Sequence, residues 1–146
     1  MESNIVQPTP RDMEKIATLL AYSSQMALEV GEQALDASLN DLPRLQKLTD
    51  IIQQVGSAKQ QRLALQALGM SLGQILANQN SNYDWWIIDD EDGRDPCLRY
   101  LNTELLVFPQ TLISKRVEDG EQFVVEELFT ELLTSLNHLV QTKYTS

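Results

Sequence analysis

Apolar residues in the first half of the chain return at intervals of three and four, the spacing that lines one face of a helix. Met13, Ile16, Ala17, Leu20, Ala27 and Leu28 carry it from Pro10 to a stop at Gly31, predicting a first helix over about 10–30. Its start is written locally: Thr9 caps, Pro10 suits the first helical position, and Asp12 stands three residues after the cap. Leu45, Leu48, Ile51, Ile52 and Val55 predict a second helix over about 42–55, with Asp41 as its cap and Gly56 as its stop. A third, longer helix is capped by Ser57, carries Leu65, Leu68, Leu72, Ile75 and Leu76 on one face, and ends near 78–82. Residues 1–8, polar overall, form a disordered tail before the first helix.

Beyond residue 82 the rhythm changes to short apolar runs separated by turn residues. Tyr83-Asp84-Trp85-Trp86-Ile87-Ile88 and Pro96-Cys97-Leu98-Arg99-Tyr100 flank a polar stretch holding Asp92-Gly93, which predicts a β-hairpin with that pair at its tip, because glycine takes positive φ freely and aspartate tolerates it. Leu105-Leu106-Val107-Phe108 reads as a third strand ended by Pro109, and 111–117 as helix, with a fourth strand as the alternative. Val125, Leu128, Phe129, Leu132, Leu136, Leu139 and Val140 define a closing amphipathic helix, with Glu126, Glu127 and Glu131 on its solvated side. The fold class is α+β: a helical N-terminal half packed on a short antiparallel sheet, closed by a C-terminal helix, in a single domain spanning 1–146.

Gly69 and Gly73 stand four apart in the third helix. Each costs about 1 kcal/mol of helix stability relative to alanine, so their use predicts close approach of another backbone within the domain. Gln60, Gln61, Arg62 and Gln74 on the same helix argue against a membrane contact at this spacing.

Charge sharpens this picture. The net charge is −10, and residues 84–146 carry −8 of it. That surface repels a phosphate backbone, so no nucleic acid is expected as a partner, and a basic protein is the natural complement. No apolar run is long enough for a membrane span, the N-terminal residues lack a secretory pattern, and the single Cys97 suits a reducing compartment. A cytoplasmic protein is expected.

Three segments taken together resemble a known family: Leu68-Gly69-Met70-Ser71-Leu72-Gly73, then Trp86-Ile87-Ile88-Asp89-Asp90-Glu91-Asp92-Gly93, then Val107-Phe108-Pro109-Gln110-Thr111-Leu112-Ile113-Ser114-Lys115-Arg116-Val117-Glu118. Their order is similar to a bacterial family of small proteins known only as a domain of unknown function, the DUF3806-like family, over about residues 55–135. The resemblance implies a bacterial source and an α+β fold, and it brings no catalytic residue with it.

The candidate chemistry gathers at the hairpin tip. Read as a calcium loop with Gly93 as the invariant glycine, the segment places Ile88 at the first ligand position and Arg99 at the last, so it fails at both ends. Cys97 has no basic cluster beside it in sequence to activate a thiolate, and His138 lies late in the closing helix without a partner of known catalytic spacing. Lys115-Arg116 reads as a local salt-bridging pair, since no glycine-rich loop accompanies it. No cofactor and no metal is expected. Adjacent strand residues point to opposite faces, so at most one of Trp85 and Trp86 faces the core and the other is free to anchor a partner. The expectation is a non-enzymatic protein–protein interaction module that uses Trp85, Trp86, Asp89, Asp90, Glu91, Asp92 and Asp95. The alternative is a carboxylate-based or metal-assisted hydrolase at the same tip.

Overall fold

A computed structural model describes residues 4–56 and 61–144. Five helices and a four-stranded antiparallel sheet follow one another as β1(Ile5–Val6), α1(Pro10–Glu29), α2(Asp41–Val55), α3(Arg62–Gln79), β2(Tyr83–Asp90), β3(Gly93–Tyr100), β4(Leu106–Val107), α4(Ser114–Glu118) and α5(Val125–Leu139). A 3-10 turn at Pro109–Thr111 leads into α4, and a π-helical turn at Val140–Tyr144 extends α5. The architecture is α+β, with the closing helix in place.

Local chemistry sets the start of α1. Thr9 Oγ1 accepts from the Asp12 amide at 3.1 Å, and the Asp12 carboxylate accepts from the Thr9 amide at 2.8 Å, so each residue satisfies a donor that the first turn leaves open. At the other end Gly31 adopts φ +83°, and the Glu32 amide returns to the Ala27 carbonyl at 2.9 Å. The second helix starts differently from the expectation. Asp41 does not cap it but reaches back, accepting from the amides of Asp36 (3.1 Å) and Ala37 (2.7 Å), because the preceding loop folds over the helix start. The Ser57 cap predicted for α3 lies outside the described residues.

The central element is α3. It was expected to bury one face, yet Ala64, Leu65, Ala67, Leu68, Gly69, Met70, Ser71, Leu72, Gly73, Ile75 and Leu76 are all buried. Helices α1 and α2, the Pro109 turn, α4 and β2 pack around it. Its small residues explain how so many neighbours fit. A Cβ at Gly69 would collide with the Pro109 carbonyl oxygen, and one at Gly73 would come within 2.5 Å of the Pro109 ring. The close approach predicted from the glycine spacing is thus made by the Pro109 turn.

The sheet runs in the order β1-β2-β3-β4. Ile5 pairs with Ile88 and Val6 with Ile87, so this part of the expected N-terminal tail is instead an edge strand. Its pairing is long-range and too short to show a periodicity in the sequence. Continuing the register would set Pro8 opposite Trp85, where a residue without an N–H cannot extend the ladder, and the chain turns into α1. The region 111–117, read as helix with a strand as alternative, is helical at both ends, in the 3-10 turn and in α4. Helices lie on the sheet face that carries Tyr83, Trp85, Leu98 and Val107, and these four join the main core.

Candidate interaction face of the hairpin

Strand pairing across β2 and β3 fixes which side chains share a face. Trp85 is opposite Leu98 and Ile87 opposite Pro96 on the helix side, while Asp84 is opposite Arg99, Trp86 opposite Cys97 and Ile88 opposite Asp95 on the outer side. Asp90 is opposite Gly93, which leaves Glu91 and Asp92 as the two corner residues. The tip therefore falls one residue earlier than Asp92-Gly93. Gly93 closes the turn at φ +120°, and the Asp90 carboxylate accepts from the Asp92 amide at 2.9 Å, holding the corner without positive φ at Asp92.

The adjacent tryptophans divide as strand geometry requires. Trp85 is 8 % exposed, packs in the core and donates its indole N–H to Gln74 Oε1 at 2.9 Å, which removes it from the candidate partner surface. Trp86 is half-buried on the outer face, with the Arg99 guanidinium 4.6 Å from the centre of its ring. Arg99 is held there by the carbonyls of Thr103 (2.6 Å) and Asn102 (3.0 Å). Ile5, Ile88 and Leu106 flank Trp86 and are also half-buried, and Phe108 beyond β4 is 43 % exposed. None of these outer-face residues belongs to the main core cluster.

The acids separate likewise. Asp89, Asp90, Glu91, Asp92 and Asp95 are all exposed, but Asp89 lies on the helix side and pairs with Arg94 at 2.8 Å, whereas Asp90 and Asp95 lie on the outer side with Asp84. Among the described residues no group of three or more His, Cys, Asp or Glu side chains is placed to hold a metal ion. Cys97 is fully buried on the outer side, opposite Trp86, and burial pushes its thiol up to about 11. His138 is exposed late in α5. Of the basic pair, Arg116 bonds a local acid, Glu121, at 3.5 Å, whereas Glu118 is taken by Arg62.

One pairing has no signal in the sequence. Arg94 reaches across to α1 and binds Asp12 through Nη2 at 2.6 Å and Nε at 3.2 Å, tying the corner end of the hairpin to a helix 82 residues earlier in the chain. Asp12 reads in sequence as a capping residue only. Its second role becomes visible once the hairpin register sets Arg94 beside Asp89 on the helix side.

The fold thus defines an α+β domain with a helix-covered sheet and an acid-rimmed outer face. The chain belongs to the family described as a domain of unknown function, DUF3806, whose family model matches residues 44–129. No curated protein matches the chain. A crystal structure of a protein from Bacteroides thetaiotaomicron VPI-5482 at 1.50 Å resolution is similar to it, with a TM-score of 0.77 at 16 % sequence identity. That likeness covers 88 % of this chain and 46 % of the other, so the chain spans a little under half of that protein's length, and the shared property is the fold.

Proposed function

We propose that the protein is a non-enzymatic interaction module that docks a basic, partly apolar protein segment on the outer face of its hairpin. The observation that supports this is the sidedness of the sheet: Trp86, Ile88, Leu106 and Phe108 present apolar surface away from the helices, and Asp84, Asp90 and Asp95 stand on the same side. Glu91 and Asp92 extend the acidic rim at the corner. Such a surface draws a cationic partner by long-range attraction and holds it by burying an aromatic anchor. Arg99 is the one basic residue of the hairpin on that side, and two backbone carbonyls already occupy it. A bacterial cytoplasm is the setting this reading assumes; no helix among the described residues is long and apolar enough to cross a membrane.

The rival reading, a carboxylate-based or metal-assisted hydrolase at the tip, needs the acids to act on one centre. Their division between the two sheet faces favours the binding reading.

The test is a comparison of retained proteins from native lysate. Wild type is set beside the triple variant Asp90→Asn, Glu91→Gln, Asp92→Asn and beside Trp86→Ala, with folding confirmed by circular dichroism. Basic proteins held by wild type, lost with both variants and released by raised salt are the expected result. The same proteins at the same strength in all three samples would overturn the proposal. Divalent-ion-dependent turnover of a glycoside or phosphoester, abolished in the triple variant, would move the hydrolase ahead.

A further inference from the structure

The edges of the sheet restrict what can occupy its outer face. Strand β1 pairs with β2 over Ile5–Val6, and the Asp89 amide donates to the Asn4 carbonyl at 3.0 Å, so alternate residues of β2 turn their backbone groups to this edge. Tyr83 and Trp85 continue that edge past the end of β1, and both donors are already used. The Tyr83 amide bonds to the Asn80 carbonyl at 3.1 Å, and the Trp85 amide to the Asp84 carboxylate at 3.0 Å. On the opposite edge β4 is two residues long, and continuing its register brings Pro109 opposite Pro96, neither with an N–H to give. A partner strand therefore finds no continuous ladder on either edge. An extended segment laid on the apolar face would leave its own buried N–H and C=O groups unmet, whereas a helix satisfies its backbone internally.

Charge is distributed unevenly along this face. At the corner end Asp90 and Asp95 share the outer side, Glu91 and Asp92 adjoin them, and Arg94 turns away to bind Asp12 and Asp89. At the other end Asp84 is opposite Arg99, so opposite charges meet there. Between the two ends lie Trp86 and Ile88, with Phe108 two strands across from Trp86 in the continued register. The unbalanced acid is thus confined to one end of an apolar strip. Asp90 is four positions from Trp86 along β2, which is about 13 Å of strand and equals the rise of roughly nine helical residues.

We propose that the occupant of the outer face is an amphipathic helix lying along β2, with a basic turn at Asp90 and Asp95 and an apolar stripe over Trp86, Ile88 and Phe108. The inference rests on the reading of this face as a docking surface for a basic segment, and it adds the conformation and the direction of that segment. A second copy of this chain is ill suited to the place, since two bodies of net charge −10 repel.

Three capped peptides of about 18 residues serve as probes. The first carries lysines in its last turn, where they also favour the helix itself, and leucines at every third and fourth position before it. The second has the same composition with the leucines at alternate positions, and the third replaces the lysines of the first by glutamate. Titrated into the ¹⁵N-labelled full chain at low salt, the first should give saturable shifts at the amides of Trp86, Ile88, Leu106 and Phe108, with a Kd of about 10–100 μM. The second and third should bind at least about tenfold more weakly. A nitroxide on the lysine end should broaden the amides of Glu91 and Asp92, and one on the other end those of Arg99 and Leu106. Asp90→Asn with Asp95→Asn should weaken the first peptide at least about threefold and flatten its salt dependence. Trp86→Ala and Phe108→Ala should each weaken it at least about fivefold with the salt dependence kept. Binding of the alternating peptide as tightly at the same amides would leave the docking face standing and overturn the helix. Nitroxide broadening independent of which end is labelled would overturn the direction. No saturable response to the first peptide would also overturn the helix, and the lysate comparison then decides the docking reading by itself.

Discussion

Asp12 and Arg94 stand 82 residues apart in the chain and are joined by two hydrogen bonds, the shorter of them 2.6 Å. Asp12 is 6 % exposed, and it also closes the capping box at the start of α1. Removing the guanidinium would therefore leave a nearly buried carboxylate with only its Thr9 contacts. Arg94→Met should cost roughly 1–3 kcal/mol, toward the lower figure because the Arg94 side chain is about a third exposed. Urea denaturation of the two proteins measures this directly, and equal midpoints would remove the bridge from the list of stabilising contacts.

The same contact predicts an acid dependence. The Arg94 bond, followed by the Thr9 amide, holds the Asp12 carboxyl well below the usual carboxylate range. A carboxyl with a lowered folded pKa contributes stability above its unfolded value of about 3.9 and loses that contribution as pH falls through its folded value. Wild type should therefore lose stability more steeply than Arg94→Met below about pH 4. Parallel stability curves for the two proteins in that range would show that the bridge does not couple to protonation.

Gly69 and Gly73 make a second test of the packing, because alanine would raise the intrinsic helix propensity at each site by about 1 kcal/mol. The structure predicts a net loss instead. At Gly69 the new methyl meets the backbone carbonyl of Pro109, which cannot swing aside, whereas at Gly73 it meets the Pro109 ring. Gly69→Ala should cost roughly 1–3 kcal/mol and Gly73→Ala somewhat less. A rise in Tm for Gly69→Ala would mean that the turn yields and that the contact is not what fixes the glycine.

Cys97 reports on the outer face. It is fully buried opposite Trp86, its thiol is raised to about 11, and continuation of the β3–β4 register brings Phe108 beside it. Thiol labelling of wild type at pH 8 should be slow. Trp86→Ala should accelerate it several-fold, by uncovering the sulfur, while global stability falls by less than about 1 kcal/mol. Equal labelling rates would show that the indole does not shield it.

What the sequence disclosed follows from the range of the interactions. Thr9-Pro10-Arg11-Asp12 is a self-contained signal, and the start of α1 matches it. The hairpin was legible from Gly93 and the apolar runs, although its corner shifted by one residue because Asp90 bonds to the Asp92 amide. Ile5–Val6 was missed because two residues carry no periodicity, and their strand exists only through pairing with residues more than eighty positions away. The burial of α3 was underestimated because Ala64, Ala67 and Ser71 look neutral in a hydrophobic pattern but are small enough to vanish between neighbours. Asp41 read as a cap because its position allowed it, whereas the loop it fastens had no recognisable signal. At the candidate face, alternation correctly required one inward and one outward tryptophan, but only the register decides which.

That division gives the last prediction, since Trp85 and Trp86 are neighbours in sequence with opposite surroundings. Trp85 fills the core between α3 and the sheet and satisfies Gln74, so Trp85→Ala should remove roughly 3–5 kcal/mol of stability. Trp85→Phe keeps much of the volume but strands the Gln74 acceptor, and should cost about 1–2 kcal/mol. Trp86→Ala removes a half-exposed ring whose principal close contact is Arg99, and should cost under about 1 kcal/mol. The order reverses for a docked partner: Trp86→Ala should raise the dissociation rate, while the acidic triple variant should lower the association rate and blunt its salt dependence. Denaturation curves and surface-immobilised kinetics on the same set of proteins separate the two effects. A Trp86→Ala protein that unfolds as easily as Trp85→Ala would show the outer ring to be part of the core, and the docking face would then have no anchor.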